Sequence, residues 1–241
     1  VEDTEVKEGT GIEDINTDPP TLMEIHNAIK TLKNGKAAGD DKIQTELLKA
    51  DINFTSKKIE EILNKVWEQE KTPNSWKRGL IIKLPKKGNL KNCKNWRGIT
   101  LLPVVSKVLG RIIIDRIRKG VDHKLRKEQA GYRSNRNTTD QIFILRNIIE
   151  RSNEWQSSLY VNFIDFEKAF DSIHRESLWK IMKIYGIPMK IINIVKALYE
   201  NFECAVLEEN DKSEWFKIKT GVKQGCNMSG FLFLIVIDWV M

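Results

Sequence analysis

The stretch VNFIDFEKAFDSIH, residues 161–174, sets Asp165 among apolar residues and Asp171 just ahead of a helix-like segment, HRESLWKIMKIY. The run that leads into it, SSLYVNFID at 157–165, is rich in β-branched and aromatic residues and reads as a strand. A carboxylate at a strand-to-helix turn ordinarily accepts backbone N–H bonds, and capping is the preferred role for Asp171. Asp165 sits six residues earlier and needs its own account. It fits a capping or salt-bridged carboxylate as well as one that faces a cleft and offers spare lone pairs to Mg²⁺. One carboxylate does not make a two-metal site, whose ions sit roughly 3.5–4 Å apart. Glu167 and Asp171 are near in sequence, but helical geometry points them different ways.

Working outward, GLIIKLPKK (79–87) reads as a second strand with Pro85 at its end or at a sheet edge. From Lys71 to Arg97 there are nine lysines and arginines and no acid, and the acid-free run continues to Ile114. A solvated basic face is one explanation. Trp76, Trp96 and Gly88, interleaved with those cations, favour contact with polyphosphate or nucleic acid. The helix in 101–119 places Leu109, Ile112, Ile113 and Ile117 on its apolar face and Arg111, Arg116 and Arg118 elsewhere. A glycine- and asparagine-rich loop carrying Arg133 and Arg136 precedes another helix from about Thr138. FECAVLE (202–208) and SEWFKIKTG (213–221) read as an antiparallel pair. TGVKQGCNMSG (220–230) then brings glycines for close backbone approach and Gln224 for a base or backbone partner. Helices and strands mix without a βαβ rhythm, so the expected class is α+β.

Composition sets broad limits. A chain of 241 residues with 41% hydrophobic and 30% charged residues builds a sizeable core, and its net charge of +7 favours a polyanionic partner. Cys93, Cys204 and Cys226 are odd in number and show no CxxC spacing, which points to a reducing, intracellular setting, nucleus or cytoplasm. VEDTEVKEGT lacks the basic-then-apolar order of a signal peptide. FLFLIVIDWV (231–240) falls short of the roughly 20 residues a membrane span needs. It reads as a buried helix, with Phe231, Leu234, Ile235 and Trp239 spread around more of its surface than one neighbouring layer covers. The residues alone leave nucleotidyl transfer, non-catalytic nucleic-acid binding and a metal-dependent nuclease open.

From about Leu22 to Met241 the chain resembles the reverse transcriptase domain of non-LTR retrotransposons, LINE-like and especially RTE-type. FIDFEKAFDSI resembles the family's first palm motif and GVKQGCNMS the following one, with its Gln–Gly pair. Residues 76–117 resemble the fingers, and EQAGYRSNRNTTDQI (128–142) the segment between fingers and palm.

The resemblance implies a right-hand polymerase: a flexible segment at 1–20, a fingers-like region at 21–155, and a partial palm at 156–241 with an antiparallel sheet packed with helices. It implies that Asp165 is catalytic and a ligand of Mg²⁺, or of Mn²⁺. Phe170 matches the bulky residue that rejects a ribose 2′-hydroxyl. Arg97 with Lys86 or Lys87 falls where the triphosphate of a deoxynucleotide is held, and Gln224 and Gly225 match the pair lining the nucleotide and template–primer site. Lys83, Arg133 and Arg136 are the expected nucleic-acid contacts. The partners implied are an RNA template, a DNA primer and deoxynucleoside triphosphates, with no membrane. The chemistry is attack of the primer 3′-hydroxyl on the α-phosphate. Two positions depart from the pattern: Asn227 and Gly230 stand where family members commonly carry Pro, which loosens the turn and the start of the last helix. The family's ADD hairpin, with the remaining carboxylates, is expected beyond Met241, together with the thumb. The 241 residues alone are therefore expected to be inactive, and a non-catalytic nucleic-acid-binding or structural remnant is the alternative.

Overall fold

The computed structural model describes residues 15–208 and 211–241. Most of the segment expected to be flexible, 1–20, lies outside the described residues. Residues 15–20 are tied down. Ile15 enters the core, Trp67 Nε1 donates to the Thr17 carbonyl at 2.6 Å, and the Arg116 guanidinium donates to the carbonyls of Asn16, Asp18 and Pro19.

Helix α1 (Leu22–Thr31) starts at a capping box: Thr21 Oγ1 accepts from the Glu24 amide while Glu24 reaches back to the Thr21 amide. The same carboxylate takes a two-pronged bond from Arg116, at 2.7 Å to each oxygen. Burial alone would raise the Glu24 carboxyl, but the bonds from Arg116 and Thr21 outweigh it and hold it at about 2. Arg116, expected to project away from the apolar face, is buried over the Trp67 ring. Helices α2 (Thr45–Ala50) and α3 (Ile52–Gln69) follow; α3 turns Ile59, Leu63, Val66 and Trp67 toward α1. Helix α4 (Val104–Val121) is buried along most of its length and forms the spine of one continuous core. That core runs on through α6 (Arg175–Ile184), α7 (Met189–Tyr199) and α8 (Ser229–Val240).

The sheet is mixed. β1 (Arg78–Pro85) pairs antiparallel with β2 (Trp96–Leu101), Leu80 opposite Leu101 and Pro85 opposite Trp96. On its other edge β1 runs parallel to β3 (Glu203–Glu208), which pairs antiparallel with β4 (Asp211–Lys212) and β5 (Phe216–Lys217). The 202–221 pair thus forms as expected and joins the basic strands. The predicted strand at 157–165 does not form. Residues 157–166 carry no regular structure, and Tyr160 and Phe163 are 93% and 86% exposed. A strand needs a neighbour to take its backbone groups, and none of the described strands pairs with it. Helix α5 (Thr138–Glu154), just before it, has no buried residue, and Phe143 is 62% exposed.

The last helix also departs from expectation. Phe231, Leu234 and Ile235 are buried, with α8 packed on α6, and Trp239 alone of the four is largely exposed. Burial of such a side chain is worth about 1.5–3 kcal/mol. The Asp238 carboxylate is satisfied inside by the Tyr185 hydroxyl at 2.5 Å and the Arg126 amide at 3.0 Å.

Candidate active site

The β1–β2 connection, residues 86–95, is basic yet well ordered. The Lys86 amide donates to the Asn95 carbonyl at 2.7 Å, Asn95 Nδ2 to Asn89, and the Trp96 indole to Leu90 at 2.9 Å. These local bonds hold the cations in place without acidic partners. Arg97, on β2, makes no side-chain hydrogen bond or ion pair among the described residues.

Opposite stands the segment 166–171. The amides of Asp171 and Ser172 both bond the Lys168 carbonyl, and Lys168 itself is left-handed at φ +49°. Phe170 is held between aromatic rings: Phe233 stacks on it at 4.8 Å and Tyr132 meets it edge-on at 6.2 Å. Two backbone bonds fasten this segment to the next: Val222 to Phe170 and Gly221 to Ile173, both 2.8 Å.

The floor is the turn Gln224–Gly225. The Thr100 amide of β2 donates to the Gln224 carbonyl at 2.6 Å. Gly225 sits at φ +113°, and a Cβ there would overlap the Thr100 carbonyl oxygen, so only glycine lets the turn lie this close to β2. Gln224 Nε2 reaches both oxygens of Asp171, at 3.0 and 3.1 Å. Asp171 is therefore not the cap of α6. His174 is, its ring accepting from the Ser177 amide.

Between these walls lies a cleft of about 800 Å³. It brings together Lys86, Arg97, Phe170, Gln224 and Gly225 of the expected residues. It adds Lys94, Trp96, Tyr132, Lys168 and Asp171, which no motif on its own assigns to it. Lys94 was within reach of the acid-free run; Tyr132 was not, because its place depends on Gly230, where a Cβ would collide with its ring. One wall is cationic and the other pairs aromatic rings with a carboxylate, an arrangement that suits a phosphate chain attached to a flat base.

Five expected residues stand apart from the lining, Asp165 among them. Lys87 and Arg136 are exposed. Lys83 pairs with Glu208 at 2.5 Å beside the Trp96 ring, a surface pair that a phosphate can outcompete. Arg133 is a correction. Its guanidinium spends all its donors on the Asp122 carboxylate and the carbonyls of Asp122, Arg126 and Gln129. It pins the loop and has no donor left for nucleic acid. Its hydrogen bonds hold the Asp122 carboxyl below the usual range. Trp76, too, is a core residue rather than part of the basic face.

Asp165 is exposed and lies one residue before the cleft-lining Phe166. Among the described residues no three His, Cys, Asp or Glu side chains converge to hold a metal ion.

The fold is α+β with a cleft that is basic on one side and aromatic on the other, and comparison with known proteins gives the family. The description "Reverse transcriptase (RNA-dependent DNA polymerase)" matches residues 84–241, more than half of the chain, and the chain belongs to that family. It is a reverse transcriptase domain of the LINE-like, non-LTR type. The 149 kDa protein of transposon TX1 from Xenopus laevis is 26% identical over 220 residues, covering 91% of this chain and 17% of that protein. The RNA-directed DNA polymerase of mobile element jockey from Drosophila melanogaster is 27% identical, covering 89% of this chain and 24% of that protein. The Pol polyprotein of element R2 from Popillia japonica is 29% identical over 167 residues, or 69% of this chain and 23% of that protein. The chain thus spans a quarter or less of these relatives' own length. Among solved structures, a partial Cas6-RT-Cas1–Cas2 complex aligns with a TM-score of 0.50 over 92% of this chain and 33% of that one; at 14% identity the likeness is one of fold.

The family uses divalent metal ions, a nucleic-acid template and primer, and nucleotide substrates. The described residues do not on their own fit a metal centre, since no three His, Cys, Asp or Glu side chains converge among them. No described helix is long and apolar enough to cross a membrane.

Proposed function

We propose that this chain carries the nucleotide- and template-binding part of an RNA-directed DNA polymerase, with an RNA template, a DNA primer and a deoxynucleoside triphosphate as its ligands. The observation that carries it is the single cleft on which Lys86, Arg97, Phe170 and the Gln224–Gly225 turn converge from distant parts of the sequence. Lys86, Lys94 and Arg97 neutralise the triphosphate, and Arg97 reaches it without giving up an internal partner. Phe170, braced by Tyr132 and Phe233, walls the sugar, and Gln224, oriented by Asp171, faces base or backbone. Lys83, Lys87 and Arg136 meet the template–primer backbone. The reaction is attack of the primer 3′-hydroxyl on the α-phosphate with departure of pyrophosphate. Mg²⁺, or Mn²⁺ in its place, is the proposed ion and Asp165 its proposed ligand. Residues 21–155 correspond to fingers and 156–241 to part of the palm, in a protein acting in the nucleus or cytoplasm.

A second reading, a nucleic-acid binder without catalysis, draws support from one observation: no three potential metal ligands converge among the described residues. Primer extension on an RNA template with Mg²⁺ and deoxynucleotides tests the pair, alongside binding of deoxyadenosine triphosphate read by Trp96 fluorescence. We expect the 241 residues to bind the nucleotide, to lose it in Arg97→Ala, and to give no extension. Template-directed products that vanish in Asp165→Ala would overturn the expected inactivity. Absence of nucleotide binding would leave the non-catalytic reading.

A further inference from the structure

Behind the Gln224–Gly225 turn sit two basic side chains, Arg175 and Lys223, that form no ion pair among the described residues. Arg175, the first residue of α6, donates to the carbonyls of Ile218 and Gly221 at 3.0 Å and of Tyr199 and Thr220 at 3.2 Å. Lys223 is buried, and its Nζ donates to the Leu198 carbonyl at 2.6 Å. The Phe202 ring lies 3.8 Å from that nitrogen and the Tyr199 ring 5.1 Å, with the Arg175 guanidinium also 5.1 Å from Tyr199. Leu198 and Tyr199 close α7, where carbonyls lack helical partners and the helix dipole is negative.

Taking an ammonium out of water without a counter-ion is costly, and the contacts this lysine makes must offset that cost. Its own carbonyl accepts from the Ser229 hydroxyl at 2.5 Å and the Cys226 amide at 3.0 Å, which set the start of α8. The next residue is Gln224, bonded to Thr100 of β2 and to Asp171. Lys223 and Gln224, adjacent in the chain, thus tie α7, β2 and α8 around the floor of the cleft.

We propose that Lys223 is the positioning residue of that floor: its buried side chain, bonded to the end of α7, fixes the Gln224–Gly225 turn against β2. The nucleotide consequence rests on the function proposed above; the mechanical one does not. Burial pushes the Lys223 amine down from 10.5 to about 7. In the lifted turn the amine meets water and regains its ordinary affinity for a proton. The closed turn therefore gains stability as pH rises above about 7 and levels off below it. The titratable and charged groups around Lys223 are Cys226, Arg175, Cys204, Lys77 and Tyr199. Burial raises Cys204 to about 11 and moves the Cys226 thiol and the Tyr199 phenol upward, out of the window just above neutrality.

The Thr100 amide, whose acceptor is the Gln224 carbonyl, reports the lifting directly. Its hydrogen-exchange protection, corrected for intrinsic rate, should rise about tenfold between roughly pH 7 and 8.5, the change expected for one proton taken up on opening. Lys223→Met, with no amine, and Lys223→Arg, which keeps its charge, should both remove that rise; the two variants guard against one failing to fold. A flat wild-type profile, or a rise that persists in a folded variant, overturns the proposal. Titration with deoxyadenosine triphosphate, read by Trp96 fluorescence, separates the two ideas. A pH-dependent Thr100 amide without nucleotide binding leaves Lys223 as the anchor and removes the nucleotide function.

Discussion

Replacing Gly225 by alanine tests the geometry of the cleft floor. The glycine sits at φ +113°, and holding another residue in so sparsely populated a region costs roughly 1–3 kcal/mol. A Cβ would also meet the Thr100 backbone, overlapping its oxygen with its carbonyl carbon and nitrogen at 3.2 Å. Backbone does not rotate away as a side chain does, so the turn must lift from β2. The bond from the Thr100 amide to Gln224 goes with it, at about 1 kcal/mol. Together these make about 2–4 kcal/mol, a fall in Tm of roughly 4–16 °C at the 2–4 °C per kcal/mol typical of domains this size. Gly35 is the control. Its φ of +66° is equally left-handed, but a Cβ there has nothing within 4 Å, so Gly35→Ala carries only the backbone cost of about 1–2 kcal/mol. Thermal melts of the two variants, with nucleotide binding by Trp96 fluorescence, make the assay. Gly225→Ala should melt lower than Gly35→Ala and lose the nucleotide while the control keeps it. Equal melting temperatures with intact binding would refute the close approach of turn and strand.

Replacing Lys83, Lys86, Lys87 and Arg97 together by Ala should flatten the plot of log affinity for nucleic acid against log salt by roughly 0.7–0.9 for each phosphate no longer neutralised. Arg133→Ala should leave that slope alone and lower Tm, and an unchanged slope in the folded quadruple variant would make the basic run a solvated face. Glu24, held at about 2 against an ordinary 4.5, favours the folded chain fully above pH 4.5 and loses that contribution as pH falls toward 2. Glu24→Gln should flatten acid destabilisation in that window, and an identical acid melt would show that the Arg116 pair contributes nothing. The exposed apolar side chains of α5 and of 157–166 should make the 241-residue chain self-associate in light scattering, relieved by Phe143→Ser with Phe163→Ser; a wild-type chain that stays monomeric would remove that expectation.

What was legible in the sequence was local. The helical spacing of Leu109, Ile112, Ile113 and Ile117 and the hairpin pattern at 202–221 each depend on residues near one another in the chain, and each forms. The acid-free run marked the wall that Lys86, Lys94 and Arg97 contribute. The strand at 157–165 failed because β-propensity describes fitness for a sheet, not possession of one. Its residues are strand-like, yet no described neighbour takes their backbone groups. Arg116 and Arg133 were misread for a related reason. On a helix or loop considered alone an arginine belongs to solvent, whereas Glu24 and Asp122 reach these two only after folding.

Asp165 and Asp171 show how the same limit bears on chemistry. Both are carboxylates in one short stretch, and a local rule assigned Asp171 to a helix cap. His174 supplies that cap instead, and Asp171 is taken by Gln224, 53 residues away, which it orients over the cleft floor. A carboxylate engaged in this way positions a neighbour. Asp165 has no such partner among the described residues, so its lone pairs remain available, and a cation is the ligand that would use them. A single exposed carboxylate holds Mg²⁺ only weakly, since the ion keeps most of its waters and must find its other protein oxygens elsewhere. The metal assignment therefore stands on whether further carboxylates meet Asp165, and that can be measured: Mg²⁺ binding by the 241 residues alone should be weak and unchanged by Asp171→Asn. Tight binding abolished by that substitution would place the metal at the cleft floor and make Asp171, rather than Asp165, its ligand.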